Sequence, residues 1–423
     1  MLKSSRNIIS AIEIGTSKIC VLIGNSNPNG QLEVIGHGEV PTDGSVFKGE
    51  IVDMERAFEQ LNTALDDADR SSGGELRNNL LSVVSVTGSN IDCVHSVGTA
   101  IIRTPDQKIT EKERFEANQG ANIHNMPQDK KIIHTAVSYY ILDNQRRLCN
   151  PDGQIANKLD AHIQIIRGDT NRIENFKNLV LDVGFDEKAV LSIFSGTCSE
   201  MGILSADEKK RGVLLVDLGA GTTEYMVDYN EGMMAGGMFP IGFNHVLNDL
   251  SIGLDLPFEY CRKLASSGQL EALLKGTTEF LEYPNPRGGM RKIPIGSVET
   301  IIELRLRELF GMIHDALRQE DVIQNLDTGG VLTGGGALLS MSRNIFETTF
   351  QCSSRIGQPH DVIGASGEIS SPRYSTVYGA LKIADDQIRT FDFNTGKTPF
   401  QTIDAMINSI ISFGKNIKES INI

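Results

Sequence analysis

No stretch of this 423-residue chain approaches the roughly 20 consecutive apolar residues needed to span a bilayer. Met1–Asn7 lacks the apolar core of a signal peptide, and the first hydrophobic run after it already reads as a strand. Tryptophan is absent, which excludes nothing by itself. The six cysteines (Cys20, Cys93, Cys149, Cys198, Cys261 and Cys352) are scattered without a C-x-x-C pair. That argues against a disulfide framework or a zinc site and fits a reducing cytosol. The eight histidines form no H-x₃-H pattern, so no metal site built from side chains is read from them. Cations are also short, with 40 Lys and Arg against 54 Asp and Glu, a net charge of −14. Binding a nucleic acid needs clustered Lys and Arg. The one compact basic run, Lys209-Lys210-Arg211, reads as a solvated turn ahead of a strand, so no nucleic-acid partner is expected. What remains is a soluble cytoplasmic protein, or one that at most lies on a membrane.

Glycine and length are what the chain has. Its 423 residues suffice for two to four units, each with a real core, and 42 glycines join an apolar content of 40%. Ile8–Ile14 and Lys18–Gly24 flank a turn at Gly15-Thr16-Ser17 and read as a hairpin, followed by a third strand at Gln31–Val40. Asp53–Ala68 carries apolar residues at helical spacing, and Leu80–Val86 is a dense apolar strand. From about Gly88 to Arg167 the pattern changes to short alternating strands around a charged helix, Thr110–Ala121, which opens on a Thr110-x-x-Glu113 capping box. This reads as a small α+β insertion. Helix Asn171–Val183 and strand Ala189–Phe194 follow. The opening pattern then returns at Gly212. A helical region is expected from Phe243 to about Gln324, interrupted by a Gly/Pro-rich bend at Tyr283–Met290. A last apolar strand, Gly330–Thr333, leads into Gly334-Gly335-Gly336 and helix Leu338–Phe350, and helix Ser375–Asp386 closes the body.

Two segments of the chain read alike. Ile12-Glu13-Ile14-Gly15-Thr16-Ser17-Lys18 and Val216-Asp217-Leu218-Gly219-Ala220-Gly221-Thr222-Thr223 each pass from an apolar strand with one acidic residue through glycine and hydroxyl residues into a second strand. Glycines let backbone N–H groups approach a polyphosphate, hydroxyls donate to its oxygens, and the carboxylates Glu13 and Asp217 organise Mg²⁺ and its waters. One such loop alone would be an ordinary hairpin turn. The third element, Gly334-Gly335-Gly336 between strand and helix, offers a bare backbone against which a base and sugar can lie. Three such loops in this order predict a nucleotide site.

The triple resembles the signature of the actin-like ATPases, which include sugar kinases, heat-shock chaperone ATPases, MreB and actin. Within them the chain is most similar to the FtsA family of bacterial cell-division proteins. Glu13 stands where most relatives have Asp, as in the family's Leu-Glu-Ile-Gly-Thr. Further matches are Gly212–Thr222, the Ile301-Ile302-Glu303-x-Arg305 helix, Val331–Ala337, and Tyr374-Ser375-Thr376 followed by Gly379. The resemblance implies an α/β, actin-like (ribonuclease H-like) fold of two lobes around an ATP–Mg²⁺ cleft, with Glu303 added to the nucleotide-binding set. It implies a first lobe at 1–87 and 168–211, interrupted at 88–167 by the family's own subdomain, 1C. A second lobe would occupy 212–243 and 325–391, with a helical subdomain at 244–324 on which the tail of the tubulin-like division protein FtsZ would dock. Where chaperone and MreB-like members carry a water-orienting Glu-Pro segment, this chain has Ser195-Gly196-Thr197-Cys198-Ser199, without a carboxylate. An ATP binder and at best a slow ATPase is the expectation.

After a polar linker at 392–402, residues 403–423 place Ile403, Met406, Ile407, Ile410, Ile411, Phe413, Ile417 and Ile421 within an arc of about 160° on a helix. FtsA proteins end in a membrane-targeting helix, so the resemblance implies a peripheral protein at the division site, on the cytoplasmic face of the membrane. It further implies self-association into filaments and recruitment of later division proteins. Asp404, Lys415, Lys418 and Glu419 sum to zero charge, so apolar insertion would have to carry the binding. Two other readings are a PilM-like pilus-assembly protein and, from a different class, a sugar or acetate kinase. A kinase needs an acceptor pocket with a general base, for which no motif is recognisable, and has no use for a terminal amphipathic helix.

Overall fold

β1 (Asn7–Ile14) turns at residues 15–17 and returns antiparallel as β2 (Lys18–Ser26), with Ile14 opposite Ile19 and Asn7 opposite Ser26. Every residue of β2 is buried, as expected of a strand covered on both faces. β3 (Leu32–Pro41) pairs antiparallel with β2. Helix α1 (Met54–Ser72) starts where the Asp53 carboxylate accepts from the Arg56 N–H and stops at Gly73, whose φ of 80° few other residues adopt. β4 (Asn79–Val86) then adds parallel to β1. The structure, a computed structural model, describes residues 7–390 except 28–29, 105, 123–126, 285–288, 321 and 365–366. The linker at 392–402 and the amphipathic set Ile403, Met406, Ile407, Ile410, Ile411, Phe413, Ile417 and Ile421 therefore lie outside the described residues.

The insertion forms its own sheet. β5 (Asp92–Ile101), β6 (Lys130–Leu142) and β7 (Lys158–Asp169) pair antiparallel in the order β5-β7-β6, with the short strand Arg146–Leu148 beyond β6. Helix α2 (Glu111–Asn122) opens on half of the expected box: the Thr110 N–H donates to Glu113 Oε2 at 3.0 Å, and the Thr110 hydroxyl donates to the same oxygen. It covers one face of this sheet over Ala100, Leu159, Ala161, Ile163 and Ile165. The other face meets the second lobe. α3 (Thr170–Asp182) leads back, β8 (Val190–Phe194) pairs parallel with β4, and α4 (Ser195–Ile203) and α5 (Ala206–Arg211) complete the crossover. The basic run is thus the last turn of a capped helix rather than a loop. Lys209, its stem buried, is paired with Glu200 of α4.

The second lobe repeats the first. β9 (Val213–Leu218), β10 (Thr223–Tyr229) and β11 (Gly232–Phe239) form an antiparallel meander. Helices α6 (Phe243–Leu254), α7 (Phe258–Ser266) and α8 (Gln269–Lys275) follow. The stretch read as a bend is a hairpin, β12 (Phe280–Pro284) against β13 (Met290–Pro294), which buries Leu281 and Ile293 on its inner face. α9 (Ile295–Gln319) packs on α6, and its Ile302, Leu306, Phe310 and Ile313 are fully or almost fully buried. β14 (Gly330–Thr333) joins β9 in parallel, α10 (Ser340–Phe350) follows, and β15 (Ser354–Ile356) extends the edge. α11 (Ser375–Thr390) returns to lie across the first lobe's sheet.

The two main sheets share one topology. The first runs β8-β4-β1-β2-β3 and the second β15-β14-β9-β10-β11, a three-strand meander plus two parallel strands in each. The first carries in addition the two-residue strand Ile363–Gly364, parallel to β3 at its edge. This is the actin-like fold, and its duplication sets the loops after β1 and β9 facing each other.

Candidate functional site

The loops after β1, β9 and β14 line one cleft of about 1310 Å³, larger than the roughly 300–1,000 Å³ of most small-molecule sites. Glu13, Gly15, Thr16, Ser17, Lys18, Asp217, Gly219, Ala220, Gly221, Thr222, Gly334, Gly335 and Gly336 all line it. Two expected members do not. Thr223 is fully buried, and its hydroxyl donates to the Ile241 carbonyl at 2.7 Å. Glu303 sits on α9, pairs with Arg307 one turn on at 2.7 Å, and is not among the lining residues. A helix motif shared with a family does not say which face a side chain takes.

The antiparallel register of β9 and β10 places Asp217 directly opposite Glu224, so both carboxylates share one face of the sheet. Ser195, Thr222 and Thr87 each donate to Glu224 Oε1, the first two at 3.1 and 3.0 Å. The segment Ser195–Ser199 itself lacks a carboxylate, but Glu224 supplies one beside Ser195 from another strand. Period-two spacing from Thr222, or the hairpin register, could have found it. Thr87, Ser195, Ser199 and Thr376 were also missed as site residues. They come from three separate segments, the end of β4, helix α4 and the first turn of α11, that only the fold brings together.

Asp217 and Glu224 are buried and Glu13 is partly buried, and the Asp217 charge acts on both glutamates. Burial, and then the Asp217 charge, pushes the Glu224 carboxyl up to about 7. Burial raises Asp217 against the Ser199 and Thr376 hydroxyls, which favour its charged form. Burial also raises Glu13, although Lys18 Nζ, 3.2 Å away, pulls it down. Three acids beside one ammonium leave a local excess of negative charge, and oxygen donors of this kind suit a hard divalent cation. The residues therefore fit Mg²⁺, with Asp217 and Glu13 to hold its waters. Gly334, at φ 84°, makes the third loop's approach possible, because a Cβ there would lie 2.3 Å from Asp217 Oδ1.

Behind the cleft, Cys20, His37 and Glu39 bring ligand-type atoms within 4.8 Å of one another, a grouping that sequence spacing did not suggest. Glu39 is already shared by Arg373 at 2.9 Å and Lys18 at 3.8 Å. With Glu13, the other partner of Lys18, two cations meet two carboxylates in a strap that joins β1, β2, β3 and the segment before α11. Among the described residues no helix is long and apolar enough to cross a membrane.

A family model described as Cell division protein FtsA matches residues 214–379, and another, described as an SHS2 domain inserted in FtsA, matches residues 88–167. Cell division protein FtsA of Borreliella burgdorferi is 29% identical over 390 residues, covering 90% of this chain and 92% of that protein. Its counterpart in Pseudomonas aeruginosa is 29% identical over 380 residues (89% of each), and that of Escherichia coli K12 is 26% identical over 391 residues (90% and 91%). Among solved structures, the PilM-PilN type IV pilus biogenesis complex superposes with a TM-score of 0.59 at 12% identity, covering 89% of this chain and 98% of that one. MreB5 of Spiroplasma citri bound to ADP does so with a TM-score of 0.51 at 14% identity, covering 91% and 98%. At such identities these two structures speak for the fold alone.

Proposed function

Since the chain belongs to the FtsA family of cell-division proteins, we propose that it is an ATP-binding adaptor of the division ring. In this reading it polymerises at the inner face of the cytoplasmic membrane, anchors FtsZ there and helps recruit later division proteins. The observation that carries the nucleotide half is the cleft itself, where three glycine loops from two sheets of one topology face the carboxylates of Glu13, Asp217 and Glu224. Backbone N–H groups of the loops at 15–18 and 219–222 would cradle the phosphates from both lobes, and 334–336 would support the base and sugar. Bound Mg²⁺ would neutralise phosphate charge. Asp217 and Glu13 would hold its waters, with Lys18 keeping Glu13 oriented through their 3.2 Å contact.

Glu224 is the base available to a water near Ser195, and it is a poor one. Its Oε1 already accepts from three hydroxyls, which leaves that oxygen little lone-pair capacity for the proton of a water. Slow turnover follows, well below the roughly 1–100 s⁻¹ of kinases. The membrane half rests on the apolar arc from Ile403 to Ile421 in the sequence, where zero net charge leaves insertion of Ile and Phe as the driving force. Docking of the FtsZ tail belongs on the subdomain at 244–324. A fluorescent fusion tests the whole reading. It should form a mid-cell ring that disappears when FtsZ is depleted, whereas a diffuse signal or a polar pilus-like focus would overturn the reading.

A further inference from the structure

Away from the loops, two buried hydroxyls converge on a single atom of Asp217. Ser199 Oγ on α4, fully buried, donates to Asp217 Oδ2, and Thr376 Oγ1 in the first turn of α11 lies 3.1 Å from the same oxygen. The two hydroxyl oxygens are 2.8 Å apart. Two protons must serve three oxygen–oxygen contacts. Ser199 therefore gives its proton to the carboxylate, and the Thr376 proton is shared between Oδ2 and Ser199 Oγ. With Oδ2 engaged in this way, Oδ1 is turned toward Gly334 and the cleft.

The clamp joins three elements that the chain keeps far apart: β9 of the second lobe, α4 of the first and the closing helix α11. The two helices that carry the hydroxyls are locked to each other, since a Cβ on Gly379 of α11 would fall 1.7 Å from the Cys198 carbonyl oxygen of α4. Ser199 and Thr376 therefore cannot drift apart without opening that crossing. Alanine or valine at either position would fill the space, but would leave the carboxylate to rotate.

Resting on the Mg²⁺-nucleotide reading above, we infer that Ser199 and Thr376 are positioning residues: they hold Asp217 by Oδ2 so that Oδ1 is presented to the cleft, and thereby set the affinity for Mg²⁺. Hydrogen-bond partners behind a metal-organising group typically contribute about 10–100-fold to metal affinity.

The full-length protein and its Ser199→Ala, Thr376→Val and Thr376→Ser variants are titrated with a fluorescent ATP analogue, at rising free Mg²⁺ and in EDTA. Ser199→Ala and Thr376→Val should need about tenfold more Mg²⁺ for half of the metal-dependent gain in affinity, with binding in EDTA unchanged. Thr376→Ser, which keeps the hydroxyl, should behave as wild type. Unchanged Mg²⁺ dependence in the first two variants, against a responsive wild type, overturns the inference alone. Equal losses in EDTA and in Mg²⁺ mark a merely structural role and overturn it too. A wild type whose nucleotide affinity ignores Mg²⁺ sinks the metal reading and the inference together. Should Ser199→Ala fail to fold, the Thr376→Val and Thr376→Ser pair decides.

Discussion

A carboxylate left 6% exposed at the end of a sheet strand costs several kcal/mol unless its charge is compensated. Asp217 is in that position, with Glu224 across the strand pair. Asp217→Ala should lower nucleotide affinity in Mg²⁺ by about 10–100-fold, toward the value in EDTA, as read by the same fluorescence titration. Identical Mg²⁺ titrations for mutant and wild type would contradict this. Glu224 makes a separate prediction. Its pKa is raised from 4.5 to about 7, so the folded state holds its proton more tightly than the unfolded chain. The stabilising effect of that proton is fully present below about pH 4.5 and is lost as pH rises through about 7. Glu224→Gln should therefore be more stable than wild type in denaturant at pH 8, with the gain shrinking toward pH 5. The sequence motif ended at Thr223 and stopped one residue short of Glu224. The register of the hairpin, Asp217 opposite Glu224, was needed to see the pair.

At the scale of elements, the inserted sheet is fastened on two sides. Toward the second lobe, Ser138 Oγ donates to the Met233 carbonyl at 2.6 Å and Gln164 Nε2 to the Met234 carbonyl at 2.7 Å, both on β11. Toward the first lobe, His134 of β6 is buried with its Nε2 3.2 Å from Thr197 Oγ1 of α4. Burial lowers His134 from 6.5 to about 4. The unfolded chain thus binds the proton more tightly, and stability present above about pH 6.5 is lost as pH falls through about 4. The loss amounts to about 3 kcal/mol. His134→Gln should flatten this part of the pH–stability profile, and an unchanged slope would contradict the assignment. The first meander, β9, β10 and α1 were legible because their apolar runs and the 3.6-residue period of α1 are uninterrupted. β11, with Gly232, Gly236 and Gly237 in its eight residues, was not. Nor were β12 and β13. They have five residues each, with Leu281 and Ile293 buried and Tyr283 partly so, and offer too short an alternation to stand out beside the glycines and proline between them.

Over the whole molecule, the two main sheets share one topology, and Ser199 of α4 and Thr376 of α11 tie the first lobe to Asp217 of the second. Membrane attachment is expected to lie beyond that body. Replacing Ile410 and Phe413 with Glu should abolish vesicle binding, because burial of each CH₂ contributes about 0.8 kcal/mol and a buried charge opposes insertion. Lys415→Gln with Lys418→Gln should matter much less, and moderate salt should barely weaken binding. Liposome co-sedimentation distinguishes the two pairs, and a larger effect from the lysines would overturn the apolar-insertion account. The measurement that bears most directly on the adaptor reading mixes purified FtsZ, Mg²⁺-ATP, vesicles and the full-length chain, and follows FtsZ into the pellet. FtsZ should sediment with vesicles only when the chain is present, and should stay in solution when residues after Pro399 are deleted. FtsZ that remains in solution although the chain itself is on the vesicles, or that sediments equally with the truncated chain, would contradict the account.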